Sequence, residues 1–117
     1  MQLDGSQTRI RCIDGETITV RVNPNQGVAA VRYSLDGNKT DGSPFTVNQS
    51  NPPHSANAAI RALAVGVLYN GDSGGAATIT LTGSNGGATS TVQVTQAPKT
   101  DTQEAEVLDM VLYRFFI

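Results

Sequence analysis

The sequence predicts an all-β protein, a single antiparallel β-sandwich with a C-terminal helix or arm. Three observations carry this reading. Apolar and polar residues alternate with period two along much of the chain. Clusters of Gly, Asn, Asp and Pro interrupt the alternation every 8–12 residues or so, the rhythm of short antiparallel strands. Finally, only 15% of the residues are charged and 5% aromatic, while Thr, Ser, Asn, Gly and Ala dominate. That balance suits a β-rich surface better than a helical enzyme. A length of 117 residues is one domain's worth and buries a core without needing a disulfide.

The elements follow in order. Thr8–Ile13 sets Ile10 and Cys12 on one face and Arg9 and Arg11 on the other. Thr17–Val22 buries Ile18, Val20 and Val22 and exposes Thr17, Thr19 and Arg21. A two-residue Asp14-Gly15 turn would put the apolar faces of these strands on opposite sides. A three-residue loop pairs Ile10 with Val20 and Cys12 with Ile18. The strands therefore either share that loop or lie in separate sheets. Asn23–Gly27 reads as a turn. Val28–Leu35 aligns Val31, Tyr33 and Leu35, and Asp36–Pro44 is a Gly- and Asp-rich loop. Phe45 and Val47 mark a short strand. Asn48–Ser55 is irregular, because Pro52-Pro53 offers no backbone donor. In Ala56–Tyr69 the front half suits a short helix capped by Ser55. The back half alternates Leu63, Val65, Val67 and Tyr69 as a strand.

The best-defined hairpin is Ala77–Gln96. Ile79 and Leu81 face inward on its first strand, and Val92 and Val94 on its second. Turns at Asn85-Gly86 or Gly86-Gly87 both keep those faces. The assembled sandwich is immunoglobulin-like or jelly-roll. The stretch "TITLTGSNGGATSTVQVTQAP" resembles the closing strands of bacterial immunoglobulin-like domains of the BACON type, which end on a "TVTVTQ"-like strand. The resemblance is confined to this hairpin. It implies a β-sandwich and, as an alternative function, a carbohydrate-binding or adhesion module. BACON domains often carry a tryptophan in their middle strands, and this chain has none.

Residues 1–98 thus form the sandwich, and 99–117 an amphipathic assembly segment. Thr100-x-x-Gln103 and Asp101-x-x-Glu104 read as capping boxes. Val107, Leu108, Val111, Leu112, Phe115 and Phe116 recur on one helical stripe. The rival reading is a strand at "VLYRFFI". Either way, so apolar a run must be covered, by its own domain or by another subunit. These six residues are the expected partner interface. Arg9, Arg11 and Arg21 form a second expected patch, suited to an acidic partner.

Composition narrows the function. A net charge of −2 lacks the basic footprint of a nucleic-acid binder. No apolar stretch is long enough to span a bilayer as a helix. Cys12 is the only cysteine, so neither an internal disulfide nor a cysteine-based metal site is expected. No cofactor is implied. Asp36, Asn38 and Asp41 vaguely resemble a calcium loop but lack its alternate spacing and closing Glu. The Thr-rich outward face of the last hairpin (Thr78, Thr80, Thr82, Thr89, Thr91, Gln93, Thr95) would suit a glycan but has no aromatic platform. The start "MQLDGSQTRI" lacks a signal-peptide pattern. Either a leader was removed or synthesis is cytoplasmic, and a free Cys12 suits a reducing compartment. The leading expectation is a structural protein that self-associates or binds a protein partner, such as a capsid decoration, neck or tail component of a virion.

Gly71-Asp72-Ser73-Gly74-Gly75 matches the nucleophile signature of chymotrypsin-like proteases. A triad also needs a His to take the serine proton and an acid to orient that His. The single His54 sits in "NPPHSAN", and the only acid between it and Ser73 is Asp72, which adjoins the serine. The stretch reads instead as a turn, and no enzyme is expected. A fluorophosphonate probe should leave Ser73 unlabelled in intact-mass spectra, whereas stoichiometric labelling would establish a nucleophile.

Overall fold

Backbone pairing, more than any local propensity, decides where each segment lies. The computed structural model describes residues 1–40, 44–50, 59–70, 74–96 and 106–117, apart from the side chains of Asn25, Gln26, Asn70, Glu106, Val107 and Leu108. Ten strands run through these residues: β1 (Gln2–Ser6), β2 (Arg9–Arg11), β3 (Glu16–Gln26), β4 (Val28–Leu35), β5 (Asn38–Thr40), β6 (Phe45–Val47), β7 (Arg61–Asn70), β8 (Gly75–Gly83), β9 (Ser90–Gln96) and β10 (Glu106–Phe116). They make a six-stranded sheet, β1-β2-β10-β7-β4-β5, and a four-stranded sheet, β6-β3-β8-β9. The all-β, two-sheet architecture agrees with the period-two alternation. No helix occurs among the described residues.

Two sequence expectations are corrected and one open choice is decided. First, Glu106–Phe116 is a strand, not a helix, and it is not an arm. It pairs antiparallel with β7 from Glu106↔Asn70 to Phe115↔Arg61. On its other side it pairs parallel with β2, so the sandwich is not purely antiparallel. The reason is the slot between β2 and β7, where an 11-residue strand satisfies backbone groups on both sides. A helix would leave both edges unpaired, and "VLYRFFI" is rich in strand formers. Second, β2 and β3 share no ladder and lie in different sheets, the second of the two arrangements weighed above. Third, "NPNQ" continues β3 and is not a turn. An irregularity between Pro24 and Gln26 accommodates the proline. The chain then turns at Gly27 (φ 65°), whose Hα side lies against the Gly74 carbonyl with no room for a Cβ.

Most other expectations hold. Val31, Tyr33 and Leu35 face Val67, Val65 and Leu63. Ile79 pairs with Val92 and Leu81 with Ser90, which keeps the expected inward faces; the connection is not a two-residue turn but a loop between Gly83 and Ser90 that opens with a Gly83–Gly86 turn and has Gly86 and Gly87 at positive φ. The start of Asp36–Pro44, expected to be all loop, is instead a hairpin: Asp36-Gly37 joins Leu35 to Asn38 in two residues and β5 follows. Both turn residues have positive φ, 53° and 85°, as a type I′ turn demands. Ala59 and Ile60 are non-helical, and the expected Ser55 cap lies outside the described residues.

The core lies between the sheets. Ile10, Leu63, Val65, Val67, Tyr69, Tyr113 and Phe115 from one sheet meet Ile18, Val20, Phe45, Val47, Ile79, Leu81 and Val94 from the other. Phe45 and Phe115 join the layers edge to face, with centroids 5.2 Å apart and planes at 81°. Such a pair adds about 0.5–1.5 kcal/mol beyond its buried area. One pole of the sandwich is tied by charge. The buried Glu16 carboxylate accepts from the Met1 ammonium at 2.7 Å and from the Ile13 and Asn85 N–H groups, each at 3.2 Å. At the same end of the sandwich, on the other sheet, the Asp36 carboxylate accepts from Arg61 Nε at 2.8 Å and the Ala62 N–H at 2.9 Å. It anchors a turn and does not face an open cation site.

Two substitutions test this arrangement in urea denaturation. Phe115→Ala should lower stability by about 3–5 kcal/mol, the usual cost of removing a fully buried aromatic. Glu16→Ala should cost about 3–5 kcal/mol, because it leaves buried donors without an acceptor. Loss of less than ~1 kcal/mol for Phe115→Ala, within the range of surface changes, would return β10 to a dispensable arm.

Candidate functional site

Alternation along β10 divides the apolar C-terminal run between two surfaces. Val111, Tyr113 and Phe115 turn toward the core, where Tyr113 and Phe115 are fully buried. Met110, Leu112, Arg114 and Phe116 take the outer face, with Met110 59% and Leu112 47% exposed. The expected six-residue interface is therefore split. Leu112 and part of Phe116 remain available, Phe115 belongs to the core, and Val111 packs against it. The side chains of Val107 and Leu108 lie outside the described residues. Met110, which the helical stripe omitted, is the most exposed large apolar residue described. Its signal was present in the sequence, since it shares parity with Leu112.

Beside this ridge runs a trough. The outward positions of β7 are Ala62, Ala64, Gly66 and Leu68, with no polar group among them. Met110 stands opposite Gly66 and Leu112 opposite Ala64. Between Met110 and the outward Arg32, Ser34 and Lys39 lies an open groove of about 350 Å³, floored by Ala64 and Gly66. Central strands of a solvated sheet normally present polar residues outward. Here two adjacent central strands present an apolar ridge and a smooth floor.

A cationic corner adjoins the ridge where β2 meets β10. Arg9 lies directly opposite Arg114, and Arg11 opposite Phe116. The Arg9 and Arg11 guanidinium groups sit 4.1 and 5.9 Å from the centre of the Phe116 ring. Asp4 accepts from Arg11 at 2.9 Å and from Arg9 at 3.3 Å. Those hydrogen bonds, Arg11's foremost, hold the Asp4 carboxyl below its ordinary range. Arg21, expected in the same patch, is elsewhere. It alternates with Val20 and Val22 on the other sheet, opposite Thr80, and its Nε donates to Asn23 at 3.2 Å. The fold replaces it with Arg114, a hundred residues along the chain from the two other arginines.

The four-stranded sheet carries the hydroxyl face. Thr19, Thr80, Thr82 and Thr91 stand on three neighbouring strands, and none of the six aromatic residues projects among them. Cys12 is buried beneath the Glu16 pole. Burial first, and the Glu16 charge second, push its thiol up to about 11. Tyr69 and Tyr113 are buried with hydroxyls that reach no partner among the described residues, and burial raises both phenols. Among the described residues no cluster of His, Cys, Asp and Glu has metal-binding geometry, and no helix is long and apolar enough to cross a membrane. Ser73, His54, Asp41 and the capping boxes at Thr100–Glu104 lie outside the described residues. No family model, curated protein or solved structure matches the chain.

The thiol supplies a direct check on this burial. At pH 8 a disulfide reagent such as DTNB should react with Cys12 only after denaturant is added, since the thiolate is the nucleophile. Rapid reaction in native buffer would show that the pole is open.

Proposed function

We propose that this chain is a non-enzymatic assembly module that pairs with a second copy of itself through the outer face of its six-stranded sheet. The observation that carries the reading is the register of ridge and trough. Met110 and Leu112 on β10 stand beside Gly66 and Ala64 on β7, at the same height. Consider a half-turn about an axis parallel to the strands and midway between these two. It sets each ridge on the other copy's trough, the self-complementarity that a two-fold interface requires. Two sheets packed this way lie about 10 Å apart, close enough for Met and Leu to fill the gap over Gly and Ala.

The charges tolerate the pairing. The half-turn lays β4 of one copy over β2 of the other. Arg32 shares its row with Gly66 and Met110, and Arg9 shares its row with Ala62 and Arg114. Those rows are four residues apart, or about 13 Å along a strand. At physiological salt like charges at that distance are largely screened. Arg114 of each copy comes over Ala62 of the other, on one row with its counterpart at the end of the interface, where the long side chains can turn to solvent.

Light scattering or sedimentation across micromolar to millimolar protein should show a monomer–dimer equilibrium. Leu112→Asp on the ridge and Ala64→Arg in the trough should each leave a monomer that still unfolds cooperatively. A full-length protein that stays monomeric throughout, or a dimer that survives both substitutions, would falsify the reading.

A further inference from the structure

We propose that the corner where β2 lies beside β10 is a binding site for a tetrahedral oxyanion, a sulfate or phosphate group, held by Arg9 and Arg114, with Arg11 coupled to it through their shared neighbour Asp4. The inference does not rest on self-association, because every lining residue comes from one copy of the chain.

The first argument is charge. Three guanidinium groups gather here, and the one carboxylate among them, Asp4, is shared by Arg9 and Arg11. The Arg114 guanidinium has no acidic or hydrogen-bonding partner among the described residues. Arg9 and Arg114 are directly opposite across a parallel ladder, where like charges destabilise a sheet. Arg114 therefore brings to the corner a positive charge that no carboxylate among the described residues pairs, and an oxyanion would neutralise it.

The second argument is shape. Ser6, Thr8, Arg9, Leu112 and Arg114 line an open cavity of about 350 Å³, roomy for a sulfate or phosphate ester. Two hydroxyls and two guanidinium groups border it, and Leu112 supplies an apolar wall. The donors are also held in place. Phe116 lies under the guanidinium groups of Arg9 and Arg11, and Arg11 further donates to the Ile117 carbonyl at 3.1 Å. Planar guanidinium forks fixed in advance lose little freedom on gripping an oxyanion and bind it more tightly than ammonium groups do. The Ser6 hydroxyl accepts the Arg9 N–H at 3.1 Å and shares a 3.4 Å hydrogen bond with the Thr8 hydroxyl, so one of the two hydroxyl protons is left for a ligand oxygen.

The arginine Nε–Hε signals give a direct readout by two-dimensional NMR. Inorganic sulfate, inorganic phosphate, a sulfated monosaccharide and a phosphorylated monosaccharide are titrated at constant ionic strength, with chloride as the reference. Saturable shifts are expected at Arg9, Arg11 and Arg114 but not at Arg32. Whichever sugar ester binds more tightly than its parent anion names the source, and equal affinities assign the site to the free anion. Arg114→Gln should weaken binding about tenfold or more, the usual worth of a charge-assisted contact. Asp4→Asn should tighten it severalfold, since it removes the internal competitor, and Arg32→Gln should leave it unchanged. Equal shifts with chloride, unchanged affinity in Arg114→Gln, or weaker binding in Asp4→Asn would each overturn the site.

Discussion

The sandwich depends on the slot between β2 and β7. Without β10 both strands would present a row of unpaired N–H and C=O groups in the middle of a sheet, at a cost no side chain could offset. The last eleven-residue strand fills it with an antiparallel ladder on one side and a short parallel ladder on the other. Filling the slot also delivers Tyr113 and Phe115 to the core, and through Phe115 it joins the six-stranded sheet to Phe45 of the four-stranded one. One segment thus closes both the hydrogen-bond network and the apolar interior. Backbone pairing sets its position, and burial follows from the pairing.

The same pairing imposes a period of two on a run of residues that is apolar almost throughout. A chain such as Met-Val-Leu-Tyr-Arg-Phe-Phe cannot hide all its side chains when alternate ones must point away. The core takes Val111, Tyr113 and Phe115. The outer surface must take Met110, Leu112 and Phe116, and this is why an interior strand leaves an exposed ridge. The trough is the complement of that choice, since β7 buries Leu63, Val65, Val67 and Tyr69 and turns mostly small residues outward. Ridge and trough are therefore two consequences of central strands that are apolar on both faces.

Carboxylates divide the polar work. Glu16 and Asp36 each satisfy several donors at one end of the sandwich, in different sheets, and fix the turns there. Asp4 lies on the exposed face and restrains two arginines. Arg32, Lys39 and Arg114 also gather on the six-stranded sheet, while the four-stranded sheet presents mainly threonine, with Arg21 among it. A chain of net charge −2 thus carries one cationic, partly apolar face and one nearly neutral hydroxyl face. Chemistry so unequal on two sides of one sandwich is the reason both functional proposals fall on the same sheet.

By itself the sequence determined what depends on neighbours along the chain. Alternation specified the inward faces of β3, β4, β7, β8 and β9, because side-chain direction in a strand is local. Gly86, Gly87 and the Asp36-Gly37 pair mark chain reversals, because tolerance of positive φ is a property of the residue; from sequence Asp36-Gly37 reads only as part of a loop, and the register shows its turn. The apolar character of the C-terminal run was legible too, but not its period, since a stripe of adjacent large residues satisfies both a helix and a strand. Only the tertiary structure decided between them, because the empty slot lies between strands nearly a hundred residues and forty residues distant. The same long-range pairing exchanged Arg21 for Arg114 beside Arg9 and Arg11. It also turned Met110 outward and sent Phe115 inside. Each of those outcomes is set by which strand lies next to which, and hydrogen bonding across a sheet records nothing of that order in the local sequence.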